Sequence, residues 1–281
     1  MTQSLQIGPL ALPYGVLLAI GAIAMGWAVG SRFGRVAGAD AEPLLLRLLV
    51  VGIVAARLAY VWEWRAAYSA VPWSIFDIRD GGWDAVGGIA AAAFYGAYRT
   101  RVERRLRKAA VAAVLISGLV WTAGSLVILF GAPAAVLLPP LTLASLDGPE
   151  VALPAFVGKP TVINLWATWC PPCRREMPVL EQAQASNPDI RIVFANQGET
   201  ADQIRRFLSQ HGLALKNVLL DPKLQAGAAI GHKALPTTLF FDARGRLIDS
   251  RIGELSHGTL TQHLTELRAD SKSAQPSPHI D

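Results

Sequence analysis

The chain is short of charge and nearly free of sulfur. Only 17% of its 281 residues are charged, against about 25% in soluble domains, and 52% are apolar. That balance excludes a disordered chain and a fibrous repeat, and it argues against a wholly soluble protein. Two cysteines are too few to staple a small disulfide scaffold. Neither cysteine nor histidine occurs before Cys170, and residues 1–31 carry no charged side chain at all.

The charge that is present is unevenly placed. Residues 1–140 hold 12 Lys and Arg against 7 Asp and Glu, a net of +5, whereas residues 141–281 hold 14 of each. Two different kinds of protein are joined near Pro140. The expected fold is an all-α membrane bundle over residues 1–138, followed by an α/β domain over 139–270. A polar tail over 271–281 has no periodicity and reads as disordered.

About 20 apolar residues at 1.5 Å rise cross a hydrocarbon core. Four segments approach that length, near 12–30, 43–62, 82–98 and 109–130. The third is the weakest, with only 14 uncharged residues between Asp84 and Arg99. The first lacks a basic flank before it and reads as an uncleaved anchor. Arg99, Arg101, Arg104, Arg105, Arg107 and Lys108 crowd the approach to the last span, and no further Lys or Arg appears until Lys159. The positive-inside rule puts this cluster in the cytoplasm and everything after the span outside. Because the cluster abuts a hydrophobic span, it implies no nucleic-acid partner. Trp62, Trp64, Trp73 and Trp83 suit an interfacial belt. Arg57 falls inside the second span, where an arginine must pair or reach water. It is either a lipid-phosphate or substrate contact, or a structural residue that snorkels or pairs with an acid such as Asp84; the structural role is favoured.

The second half alternates strand and helix. A hairpin turns at Asp147-Gly148, and residues 161–166 form a buried strand running into Cys170-Pro171-Pro172-Cys173 and a helix to about 185, with Pro178 inside it. Strands follow at 191–195 and 218–220, with a capping box at Thr200 and Gln203 between them opening a helix through 208. A short helix near 224–230, a hairpin of 238–241 with 247–252, and a final helix carrying Leu260, Leu264 and Leu267 complete a mixed sheet with helices on both faces.

A Cys-x-x-Cys where a strand meets a helix is a redox arrangement. The helix N-terminus favours the Cys170 thiolate, and Cys173, one turn on, can resolve a mixed disulfide. Zinc would need two further ligands, and the histidines show no ligand-pair spacing. No metal or external cofactor is expected; a structural disulfide without turnover remains the rival.

Two resemblances extend this reading. Residues 141–267 resemble the TlpA/ResA-type branch of the thioredoxin superfamily, the membrane-tethered extracytoplasmic thiol–disulfide oxidoreductases. The matching stretches are Leu146-Asp147-Gly148, the run from Asn164 through Trp169-Cys170-Pro171-Pro172-Cys173 to Glu176-Met177-Pro178, and Ala234-Leu235-Pro236-Thr237. The resemblance implies that Pro236 is a cis-proline facing the cysteines. It further implies that Trp169, Leu235 and Thr237 contact the substrate, Leu235 through its backbone, and that Glu176 tunes the thiols or moves protons. It implies a bacterial inner-membrane protein with its redox domain in the periplasm, reducing partner disulfides such as those of cytochrome c apoproteins or oxidised secreted proteins. A separate membrane thiol reductase would be the electron donor. A disulfide-forming oxidase shares the same fold and motif.

The stretch Gly52-Ile53-Val54-Ala55-Ala56-Arg57-Leu58-Ala59-Tyr60, with Ile75-Phe76-Asp77-Ile78 and Gly81-Gly82-Trp83-Asp84-Ala85-Val86-Gly87-Gly88, resembles the first half of prolipoprotein diacylglyceryl transferases. That family carries a histidine where Val86 stands, and its later arginine-rich and asparagine-containing segments have no counterpart here. The resemblance therefore implies a degenerate, non-catalytic bundle that meets membrane lipid or a partner. A lipid-modifying protein with an accessory redox domain is the alternative.

Overall fold

A computed structural model of the chain describes residues 4–7, 10–70, 75–76, 81–130, 136–231 and 234–273. A hairpin of β1 (Ser4–Ile7) and β2 (Leu10–Pro13), which the apolar pattern does not mark, precedes α1 (Tyr14–Val36). Then come α2 (Glu42–Glu63), the short α3 (Arg65–Ala70), α4 (Ala85–Val102) and α5 (Arg107–Phe130).

Among the described residues, three helices are long and apolar enough by composition to cross a membrane: 14–36, 42–63 and 104–130, the last including a 3-10 turn ahead of α5. The segment expected at 82–98 is helical as α4. Its apolar content is diluted by Gly87, Gly88 and Gly96, and Arg99 and Arg101 occupy its last turn. It nonetheless runs antiparallel along α2, with Gly87 against Ala59, Gly88 against Ala56 and Gly52, and Gly96 against Leu48.

Small residues set both helix pairs. A Cβ on Gly88 would lie 2.7 Å from the Gly52 carbonyl, and one on Gly26 of α1 would lie 2.7 Å from the Ala113 carbonyl of α5. Close backbone approach of this kind supplies van der Waals packing where lipid offers no hydrophobic drive. Ser117 on α5 also donates to the Ala22 carbonyl at 2.9 Å.

The second half is a seven-stranded sheet of order β4-β3-β7-β6-β5-β8-β9. Its strands are β3 (Thr142–Ser145), β4 (Val151–Ala152), β5 (Thr161–Trp166), β6 (Arg191–Gln197), β7 (Val218–Asp221), β8 (Thr237–Phe241) and β9 (Leu247–Ile252). β5, β6 and β7 are parallel, and the β3–β4, β3–β7, β5–β8 and β8–β9 pairs are antiparallel. Every residue of β5 is buried, as a central parallel strand requires.

Val162 and Trp166 face a core built with α6 (Pro171–Ser186), α7 (Ala201–His211) and α9 (His257–Ser273); Ile163 and Leu165 face a second core. That second face is covered by the 3-10 turn Leu153–Phe156, by Leu138 and by Ala226 of the short α8 (Gln225–Ala229). Thr200 and Gln203 close the expected capping box on α7. Of the expected tail, residues 271–273 continue α9, and 274–281 lie outside the described residues, as do Trp73 and residues 77–80.

The two halves touch. The Tyr60 hydroxyl at the end of α2 donates to Gln262 Oε1 of α9 at 2.6 Å. Tyr68 of α3 packs on Gly258, where a Cβ would meet its ring at 2.7 Å, and the Arg251 guanidinium lies over Gly81.

Replacing Gly88 with Val should force α4 away from α2 at a cost of ~1–3 kcal/mol, the usual range for overpacking. Thermal unfolding of the detergent-solubilised chain, followed by tryptophan fluorescence, should show a lowered midpoint. An unchanged midpoint would mean that these backbones are not in contact.

Candidate active site

The site begins where β5 ends. Trp166 is the last buried residue of the strand, and the chain turns through Ala167, Thr168 and Trp169 into α6. Cys170 is the N-cap of that helix, with extended backbone angles, and prolines fill the first two helical positions, where a missing N–H costs nothing. Cys170 Sγ accepts from the Cys173 backbone N at 3.3 Å. The two sulfurs form a disulfide with Cα atoms 5.3 Å apart. Both residues are buried, at 3% and 0% exposure.

The next turn of α6 carries Glu176, wholly buried. Its Oε1 accepts from Asn164 Nδ2 of β5 at 2.8 Å, and its Oε2 from the Leu255 backbone N at 3.0 Å. Asn164 also donates to Thr238 Oγ1 at 3.0 Å, so β5, α6 and the approach to α9 meet on one carboxyl group and β8 is tied in through Asn164. Burial disfavours the charged form and pushes the Glu176 carboxyl up to about 8; nearby Glu254 adds to the rise, and the two hydrogen bonds oppose it. Glu254 in turn holds Arg175, whose Nε lies 3.1 and 3.0 Å from its two oxygens.

A second carboxylate, which motif reading does not single out, braces the loop before the cysteines. Glu199 Oε2 accepts from the Thr168 N at 2.7 Å and from Asn196 Nδ2 at 2.7 Å, and its Oε1 accepts from the Thr168 hydroxyl. Glu199 follows β6 by two residues and is 31 positions from Thr168, so only the parallel β5–β6 pairing reveals the contact.

The Leu235–Pro236 peptide is cis. Leu235 packs partly buried against the core that contains both cysteines. Thr237 is fully buried, and its hydroxyl donates to the Ala234 carbonyl at 2.7 Å, so its side chain braces this turn rather than facing outward. Trp169 is 67% exposed.

Arg57 belongs to α2, in the membrane half. It is 7% exposed. Its Nε donates to the Ile75 carbonyl at 3.1 Å and its Nη1 to the Gly82 carbonyl at 2.8 Å. The guanidinium also lies 5.4 Å from the Tyr68 ring and 5.9 Å from that of Trp83. Asp84 caps α4 through the Gly87 N.

A cysteine pair capping the helix that follows a central parallel strand, with a cis-proline entering the neighbouring antiparallel strand, defines a thioredoxin-fold redox site. The sequence model of the Redoxin family matches residues 132–267, and that of the prolipoprotein diacylglyceryl transferase family matches residues 3–126. The thiol–disulfide oxidoreductase ResA of Geobacillus thermodenitrificans is 30% identical over 132 residues, covering 46% of this chain and 75% of that protein. The thioredoxin-like protein YneN of Bacillus subtilis is 31% identical over 130 residues, with 45% and 75% covered. A structure of DsbF from Mycobacterium tuberculosis is similar at 29% identity and a TM-score of 0.43, over 46% of this chain and 95% of that one. The chain belongs to the ResA-type family of thioredoxin-fold thiol–disulfide oxidoreductases.

The raised carboxyl has a sign that can be measured. The folded Glu176 keeps its proton up to about pH 8, whereas the unfolded group loses it near 4.5. The unfolded state therefore binds fewer protons between those values, and stability falls as pH rises from 4.5 to 8. Glu176→Gln should remove this part of the fall. Chemical denaturation at pH 5 and pH 8 should show a smaller loss in the variant, and identical losses would contradict a buried protonated carboxyl.

Proposed function

We propose that the chain is a membrane-anchored reductase of disulfides in proteins outside the cytoplasm, acting through Cys170 and Cys173. The observation that carries this reading is the sulfur of Cys170 at the N-cap of α6, where it accepts from the Cys173 N. Backbone N–H groups and the positive end of the helix dipole favour a thiolate there.

In the reducing direction, the Cys170 thiolate attacks one sulfur of the partner's disulfide, and the partner's other sulfur leaves as a thiolate. Cys173 then attacks Cys170 Sγ and releases the second partner thiol. Two electrons pass to the partner, and the pair is left oxidised. Glu176 stands one turn beyond Cys173 on the same buried face of α6, and its ionised form, which gains weight as pH rises toward 8, is the acceptor of the Cys173 proton. A carboxyl whose pKa is pushed up to about 8 is matched to a thiol near neutral pH. Trp169 and the backbone at Leu235 and Pro236 form the surface for the partner. The membrane half has no cysteine, so the electrons that reload the pair come from a separate membrane thiol reductase. Cytochrome c apoproteins and oxidised secreted proteins are the partner classes that the family implies.

Arginine placement supports an extracytoplasmic domain. The cluster from Arg99 to Lys108 precedes α5 on the cytoplasmic side, which requires α4 to return the chain across the bilayer beside α2. The antiparallel packing of α4 on α2 agrees with that path. The membrane half reads as a non-catalytic relative of the lipid transferases, because Val86 stands where that family carries its histidine. Its role is to anchor the redox domain and to meet lipid or a partner.

The full chain in detergent should reduce insulin with a small-thiol donor. Cys170→Ser should abolish turnover, and Cys173→Ser should accumulate a mixed disulfide on Cys170. Insulin reduction that persists in Cys170→Ser would end this mechanism. A reduction potential as high as about −120 mV, typical of a strong oxidant, would reverse the direction.

A further inference from the structure

Away from the cysteine pair, β9 and α9 bring three ligand-type side chains together. Asp249 lies in β9, and His263 and Glu266 stand one turn apart on α9. One ligand atom from each lies within 4.8 Å of the others. His263 Nδ1 is 2.8 Å from Asp249 Oδ2 and 3.8 Å from Glu266 Oε2. The nitrogen is buried, and its short approach to Asp249 is out of line for a hydrogen bond.

The surroundings hold each group in place. The His263 ring stacks on buried Phe240, with centroids 4.8 Å apart and planes at 26°. Asp249 Oδ1 accepts from the Ser250 N at 2.8 Å, and Glu266 Oε1 accepts from Gln262 Nε2 at 2.9 Å. Each carboxylate thus has one oxygen anchored and the other turned toward the ring nitrogen. Outer contacts of this kind orient metal ligands.

We propose that Asp249, His263 and Glu266 form a binding site for a divalent transition-metal ion such as zinc, with water completing its shell. One imidazole and two carboxylates suit such an ion. Ligands of a tetrahedral ion with bonds of about 2.0–2.1 Å stand roughly 3.3 Å apart. The two separations from the ring nitrogen, 2.8 and 3.8 Å, bracket that value, and the two carboxylates lie within 4.8 Å of each other. Two carboxylates around a single imidazole also leave negative charge that a dication balances. The outer shell extends into the membrane half, because Gln262 accepts the Tyr60 hydroxyl at 2.6 Å. A bound ion would fix the chain of contacts from Asp249 through Glu266 and Gln262 to Tyr60, and with it the seat of the redox domain.

The site is independent of the thiol chemistry and is tested apart from it. The full chain, without a histidine tag and with its disulfide intact so that no thiolate competes, is titrated with zinc by calorimetry and with cobalt by visible absorption. One equivalent should bind, with the cobalt bands of a nitrogen–oxygen site. His263→Gln should abolish binding. Glu266→Gln, at a half-exposed position where the fold is not at stake, should weaken it at least about tenfold, and Gln262→Ala about 10- to 100-fold. Zinc should raise the thermal midpoint of the parent chain and not that of Glu266→Gln. No stoichiometric binding, or affinity unchanged in both His263→Gln and Glu266→Gln, would overturn the assignment and leave a His263–Asp249 ion pair.

Discussion

The redox half is organised around one buried carboxyl group. A carboxyl removed from water is costly unless it is hydrogen-bonded or neutral, and Glu176 meets both conditions. Asn164 and the Leu255 backbone each donate to it, and burial keeps its proton on up to about pH 8. Those two donors belong to β5 and to the loop that leads into α9, while Glu176 itself belongs to α6. The helix that carries the cysteines is thereby pinned to the central strand and to the last helix. A rotation of α6 that moved Cys173 would also strip this group of its partners.

Glu199 completes the same logic on the other side of the pair. By holding the N–H and hydroxyl of Thr168, it fixes the turn between β5 and Cys170. The cysteines are therefore held from behind by Glu176 and from in front by Glu199. These two acids differ in environment: Glu176 has no exposed surface, whereas Glu199 takes three donors at the edge of the site. The first holds its proton up to about pH 8, and the second is an acceptor fixed by its donors.

Legibility in the sequence followed the reach of the contacts. The Cys-Pro-Pro-Cys helix start and the Thr200–Gln203 capping box are satisfied within four residues, and both were readable. The strands of the second half were also readable, because alternation and bounding turns are local signals. What could not be read depends on pairing across the fold. Glu199 reaches Thr168 over 31 positions, Asp249 approaches His263 only because β9 lies under α9, and Tyr60 meets Gln262 over 202 positions. Arg57 was readable as a constrained residue, but its partners were not. It is held by the carbonyls of Ile75 and Gly82, and backbone acceptors leave no mark in side-chain sequence. The third of the four expected spans was weak in the sequence for a related reason. Hydropathy weighs composition alone, while α4 owes its place to glycines that let it approach α2.

Two further glycines, Gly81 and Gly82, together with Arg57 connect the membrane bundle to the redox domain. Gly82 offers its carbonyl to Arg57 because its backbone can approach the Tyr60 and Arg57 side chains closely, and Gly81 lies beneath Arg251 of β9. Tyr60 and Tyr68, which flank Arg57, are the residues that contact α9 at Gln262 and Gly258. A buried cation in α2 thus orders the connecting segment whose neighbours seat the edge strand and last helix of the other half. The contacts fall on β9 and α9, and Trp169 beside the cysteines remains two-thirds exposed. The end of the sheet that bears the sulfurs stays open to a partner.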